Sequence, residues 1–172
     1  MSRTFYRCKY RLNQINAFLI WFSNEKDGVA TDSAGAVISF ASERLIKQFA
    51  SRKKWKVQSE KLAFYDFDSV LSWVASNGKG PIECNLFLNV WNLLGDISHS
   101  VGGDSNPNLK QTKKLYDKLF WGCNLPAVTP VGRKFKPDWP KVERRLLCSV
   151  LSSGIELFRS HLAKTKKAKT SK

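Results

Sequence analysis

The spacing of apolar residues changes along this chain, and that change limits its fold more than any other feature. The first sixty residues read mostly as strand. Arg3 to Tyr10 is rich in aromatic and branched side chains. Ile15 to Phe22 is a short apolar run that ends in Asn24-Glu25-Lys26-Asp27-Gly28, a hairpin-like turn signal. Val29 to Thr31 and Ala36 to Phe40 then flank Asp32-Ser33-Ala34-Gly35, a second turn with a glycine available for positive φ. Trp55 to Ser59 alternates in the manner of a further strand.

Helical spacing interrupts this pattern once and then takes over. Ser42 opens a helix with Glu43 in its first turn, and Leu45, Ile46 and Phe49 share one face. Asp66 or Asp68 caps the next helix, whose Val70, Leu71 and Val74 point one way before Asn77-Gly78 ends it. Pro81 fits the first turn of a longer helix, where its missing N–H would be an orphan in any case. Cys84, Phe87, Leu88, Trp91, Leu94 and Gly95 form its core stripe. Gly102 to Asn108 is a loop, and Leu109 to Phe120 returns to helical spacing. A last helix runs from Pro140 to about Leu162 with Leu147, Val150, Leu151, Gly154 and Phe158 inward.

Strands first and helices afterwards predict an α+β domain: an N-terminal antiparallel sheet of three to five strands followed by about five helices packed on one face. The 172 residues leave room for one domain, expected over 1–163, with 164–172 as a basic disordered tail. Hydrophobic residues at 42% are enough for a packed core without staples. The four cysteines, Cys8, Cys84, Cys123 and Cys148, form no CxxC pair, and the charged start MSRTFYRCKYRLNQ has no apolar leader segment. Reduced thiols and a cytoplasmic location are expected. No apolar run approaches the ~20 residues that span a bilayer, so no membrane association is expected.

Charge separates the function classes. Twenty-nine Lys and Arg against fourteen Asp and Glu give +15. Lys164, Lys166, Lys167, Lys169 and Lys172 hold five of these, which leaves +10 on the body. A field of that sign draws nucleic acid, an acidic protein surface or anionic lipid.

Catalytic and metal sets do not assemble. His99 and His161 have no Cys, His or carboxylate at zinc spacing and read as a capping or solvent-exposed pair of side chains. Cys84 and Cys148 border apolar helix faces, where Cys acts as a small hydrophobe. Cys123 lies in a loop but lacks a paired base. Asp66 and Asp68 sit before a helix, where carboxylates complement orphan N–H groups rather than forming an acid–base or Mg²⁺ pair. Gly102-Gly103 belongs to no phosphate-binding pattern. No enzyme activity, cofactor, metal or small-molecule substrate is expected.

Basic clusters recur at Arg52 to Lys56, at Lys110 to Lys118, at Arg133 to Lys136 and at Lys141 to Arg145. Between the last helices, Trp121 to Trp139 interleaves prolines, glycines, aromatics and cations. Such a loop either presents anchors to a partner or folds back over the core. The expected partner-binding residues are Lys118, Trp121, Asn124, Arg133 and Lys134, together with Phe135, Lys136, Trp139, Arg144 and Arg145.

Several strings resemble the small immunity proteins of bacterial contact-dependent growth inhibition and related polymorphic toxin systems. They are Asp27-Gly28-Val29-Ala30-Thr31-Asp32 leading through Gly35 to Val37-Ile38-Ser39-Phe40, Arg44 to Ala50, Tyr65-Asp66-Phe67-Asp68 before Leu71 and Trp73, and Tyr116 to Pro126. The resemblance implies an antitoxin that binds one cognate toxin domain, commonly a nuclease such as a tRNase, in a 1:1 complex and occludes its active site. It carries no residue roles, because these families share no binding motif. Inhibitors of nucleases are frequently acidic, so the basic charge implies an acidic toxin or contact through a local acidic face. The alternative expectation is a basic nucleic-acid-binding protein without catalytic activity, although no RRM, KH or zinc-finger motif is present.

Overall fold

A computed structural model describes residues 3–59, 62–102 and 109–163, with residues 109–111 by their backbone alone. Strands β1 (Thr4–Leu12) and β2 (Ile15–Ser23) pair antiparallel from Leu12↔Ile15 to Thr4↔Ser23. Only Asn13 and Gln14 remain for the turn, both left-handed at φ 54° and 61°. That is the handedness a two-residue hairpin requires. Asp68 supports it from afar, since its carboxylate accepts the N–H groups of Asn13 at 2.7 Å and Gln14 at 2.8 Å.

β3 (Gly28–Val29) pairs antiparallel with β2, and β4 (Ala63–Asp66) lies parallel to β1, giving the order β3-β2-β1-β4. The sheet is therefore mixed rather than wholly antiparallel. A parallel neighbour needs a crossover, and the chain supplies it through α1 (Glu43–Lys53). The expected strands at 29–31, 36–40 and 55–59 contribute mainly single bridges, Thr31↔Val37, Phe18↔Phe40 and Phe5↔Val57. The backbone of Val37 is taken instead by the end of the last helix: its N–H donates to the His161 carbonyl, and its own carbonyl accepts from Ala163.

The α+β class holds, with five helices α1, α2 (Phe67–Ala75), α3 (Cys84–Ser100), α4 (Leu109–Gly122) and α5 (Lys141–His161). Cys8, Tyr10, Leu12, Ala17 and Leu19 point from one sheet face into the main core with Phe67, Leu93, Ile97, Leu119, Leu151 and Phe158. The alternate residues Phe5 and Ile20 point the other way, into a smaller core with Ala30, Phe40 and Ile46 of α1. Helices α2, α3 and α5 thus cover one face, with α4 packed on α3 and α5, and α1 covers the other. The reason lies in β2, which carries large apolar side chains on both faces, Phe18 and Phe22 opposite Leu19 and Trp21, so each face needs a cover.

Asp66 caps α2 by accepting from the Ser69 N–H at 3.1 Å. α3 begins at Cys84, after Glu83 at its N-cap, so Pro81 lies upstream of the helix rather than in its first turn. Its buried stripe is Phe87, Leu88, Val90, Leu93, Leu94 and Ile97; Trp91 is partly buried and Gly95 exposed. α5 buries Leu147, Leu151, Ile155 and Phe158 and leaves its opposite stripe free.

Candidate binding surface

The connection from α4 to α5 is pinned at its base and open at its tip. Asn124, left-handed at φ 48°, accepts the Phe135 N–H at 2.7 Å through Oδ1. It donates through Nδ2 to the carbonyls of Phe135 and Gly122, both at 3.0 Å. Between these ends, Val128 and Thr129 donate back to the Leu125 carbonyl, and Arg133 donates to the Pro130 carbonyl with Gly132 at φ 78°. A glycine at the third position of such a turn is the type II requirement. It leaves Val131 at the tip, 104% exposed relative to a free side chain.

Leu125, Val128 and Phe135 are exposed as well. Of the two roles open to this loop, covering the core is therefore not performed by its tip. Arg133, Lys134 and Lys136 stand beside these apolar side chains and pair with no carboxylate among the described residues.

The far end of the loop is fixed differently. Lys118 donates to the Asp138 carbonyl at 2.8 Å and to the Glu143 carboxylate, and its ammonium lies 5.5 Å from the centre of the Trp139 ring. Burial opposes ionisation of Glu143, but hydrogen bonds from Lys118 and Lys114 outweigh it and hold the carboxyl below its ordinary range.

A groove of about 790 Å³ opens beyond Trp139, between α5 and the turn that follows α2. One wall is the segment Asn77 to Gly80, in which Asn77, Gly78 and Gly80 all have positive φ. The other wall is a single stripe of α5: Lys141, Arg144, Arg145, Cys148, Ser149 and Ser152. Their spacing of three, four, seven, eight and eleven residues is one helical face. Arg144 joins the walls. Its Nε donates to the Trp139 carbonyl at 3.0 Å, and its Nη1 donates to the Gly78 and Gly80 carbonyls, each at 2.8 Å.

The ten expected partner-binding residues fall into three groups. Lys118, Asn124 and Arg144 are occupied in holding the loop and groove together, and Trp139 lies under Lys118. Trp121 is exposed on the last turn of α4, which runs to Gly122 and so takes the expected start of the loop. Arg133, Lys134, Phe135 and Lys136 are exposed along the loop itself, and Arg145 is exposed in the groove. The apolar tip residues Val128 and Val131 and the groove cation Lys79 were not legible as site residues. Asn77-Gly78 reads from sequence only as the end of a helix, although the next residue is a cation and the one after it a glycine.

The Cys123 thiol donates to the Leu119 carbonyl, and burial raises its pKa. Cys8 is pushed up to about 12, chiefly by burial. His161, half-buried rather than solvent-exposed, has Nδ1 3.0 Å from both the Leu157 carbonyl and the Ser160 hydroxyl. Among the described residues no group of three or more His, Cys, Asp or Glu could hold a metal ion. No helix of the described residues is long and apolar enough to cross a membrane.

Fold and surface together define an α+β domain with a helix-covered mixed sheet, a clamped exposed loop and a cationic groove. Comparison with protein-family models and with curated proteins finds no match. Among solved structures the chain is similar to the C-terminal domain of SatS, crystallised in complex with bromine. The TM-score is 0.51, identity is 12%, and 92% of each chain is covered. The likeness is one of fold.

Proposed function

We propose that this chain is a non-catalytic immunity protein of a bacterial toxin system, which binds a cognate toxin domain one-to-one in the cytoplasm and covers its active site. The observation that carries the reading is the clamped loop. It holds Leu125, Val128, Val131 and Phe135 outward, beside Arg133, Lys134 and Lys136, which have no carboxylate partner among the described residues. Apolar anchors on a pre-shaped backbone, rimmed by charge, are what a protein interface uses, because little ordering entropy remains to be lost on binding. The toxin is a nuclease such as a tRNase in the resembling systems, and its contact surface here is acidic, to match the cations.

The test is to express the product of the adjacent upstream gene alone and together with this chain. Growth arrest by the neighbour, rescue on co-expression and a 1:1 complex by light scattering are expected. A neighbour that is harmless alone, or whose toxicity persists on co-expression without a complex, overturns the reading. Binding of RNA or DNA in place of the neighbour, with log affinity falling linearly in log salt, would establish the nucleic-acid alternative instead.

A further inference from the structure

The groove between the 77–80 turn and α5 has a composition that neither core packing nor local helix preference accounts for. Lys79 on one wall and Lys141, Arg144 and Arg145 on the other carry four positive charges, and no acidic residue lines the groove. None of the four pairs with a carboxylate among the described residues. Three of them lie in the first five residues of α5. The helix macrodipole is positive there, so cations are disfavoured at that end and anions favoured. Only Glu143 answers it in the first turn, and that carboxylate faces away, onto Lys118 and Lys114. Lys141 and Arg145 break this local rule with no compensating partner among the described residues, and breaks of that kind are expected at functional or strained positions.

The groove is also built rather than incidental. Arg144 is locked by three backbone carbonyls, none of which cancels its charge, so the guanidinium is fixed before any ligand arrives. Gly78 lets the turn approach α5: a Cβ there would lie 3.2 Å from Cys148 Sγ and 3.3 Å from the Trp73 ring. Farther along the stripe, Cys148, Ser149 and Ser152 are small, which leaves the space open and places two hydroxyl donors in it.

We infer that this groove is a socket for the carboxylate side chains of an acidic peptide segment on the protein partner. The inference rests on the reading of the chain as a protein-binding module, and it assigns to that partner the chemistry of one contact. A protein segment is favoured over single-stranded nucleic acid because no aromatic side chain lines the groove, so bases would have nothing to stack on. It is favoured over a duplex because the cations gather around one short groove instead of tracking a long backbone. Val74 and Cys148 add an apolar floor that suits the aliphatic stem of Glu.

The probe is a short labelled Asp/Glu peptide, read by fluorescence anisotropy at low salt against a single-stranded RNA oligonucleotide of equal charge. Lys141 and Arg145 are exposed and free of described partners, so the double variant Lys141→Glu/Arg145→Glu should keep the fold, checked by circular dichroism. A matched variant, Lys26→Glu/Lys47→Glu, changes net charge equally at other exposed sites. The expected result is peptide binding weakened about tenfold or more by the groove variant and clearly less by the matched one.

Equal loss in both variants, no binding to the unaltered protein, or RNA binding tighter than peptide and lost in the groove variant would each overturn the inference. The two readings fail separately. Neutralisation of a toxin that is indifferent to Lys141→Glu/Arg145→Glu sinks the socket alone, and a peptide-binding socket on a chain that protects against no toxin sinks the immunity reading alone.

Discussion

Asn124 and Phe135 close a ring of backbone: the Asn124 amide accepts the Phe135 N–H and donates to the Phe135 carbonyl, at 2.7 and 3.0 Å. This one side chain holds the ten-residue excursion between them. Asn124→Ala removes both bonds and places an alanine at φ 48°, whereas Asn124→Gly removes the bonds without backbone strain. Both variants should loosen the loop, and trypsin should cut after Arg133 or Lys134 several-fold faster than in the unaltered protein. Global stability should fall by about 1–2 kcal/mol in the alanine variant and less in the glycine variant, measured by urea titration. Unchanged cleavage in both would mean the loop is held by something else.

How much of this was legible in the sequence depends on how far apart the deciding residues lie. The hairpin strands, an aspartate cap on α2 and the Leu147, Leu151 and Phe158 part of the α5 stripe follow from neighbours within a few positions, where alternation and helical spacing operate. Val150 and Gly154, by contrast, are only half-buried, and Ile155 takes the inward place. The turn at Asn13-Gln14 carries no glycine; the carboxylate that holds it, Asp68, is more than fifty residues away. β4 has no alternation to read because its burial runs from exposed to half-buried, and its pairing with β1 is parallel and long-range. The placement of α1 on its own face depends on which side of β2 it covers, a tertiary choice. The loop was readable as a candidate from its composition. The groove was not, because Arg144 reaches across more than sixty residues to Gly78 and Gly80.

The Lys118–Glu143 pair makes a pH prediction with a definite sign. Glu143 titrates below its ordinary value in the folded protein, so it binds fewer protons there than in the unfolded chain at mildly acidic pH. Its stabilising contribution is complete above the unfolded carboxyl pKa of about 4.3 and is lost as pH falls through the depressed folded value. Glu143→Gln should destabilise by about 1–2 kcal/mol at pH 7, the range for a hydrogen-bonded, partly buried pair. The gap should close as pH drops below about 4. Thermal melts of both proteins across pH 3 to 7 check it, and a gap that widened in acid would contradict the assignment.

Gly78 and Gly80 separate backbone strain from crowding. Both have positive φ, 72° and 91°, but an added Cβ at Gly80 meets nothing within 4 Å, while at Gly78 it meets Cys148 and Trp73. Gly80→Ala should carry the backbone penalty alone, about 1 kcal/mol, and Gly78→Ala should cost more, about 2–3 kcal/mol. At about 2–4 °C per kcal/mol for a chain of this size, calorimetry resolves the order. Equal losses would mean that the turn shifts away from α5 without penalty.

The exposed loop tip should matter to a partner and not to the fold. Val131 touches no core residue in its fully exposed position, and Phe135 keeps 44% of its surface. Val131→Asp and Phe135→Ala should therefore leave stability within about 0.5 kcal/mol, as surface substitutions do. Against the toxin identified by co-expression, each should weaken binding by about 1–2 kcal/mol, roughly a tenfold rise in Kd, because anchors at the centre of an interface dominate its energy. Arg133→Glu, a rim charge against an acidic surface, should instead act mainly on the association rate, and its effect should fade as salt is raised. Calorimetric affinities and stopped-flow rates on the three variants distinguish these roles. If all three bind as tightly and as fast as the unaltered protein, the contact lies elsewhere on the domain.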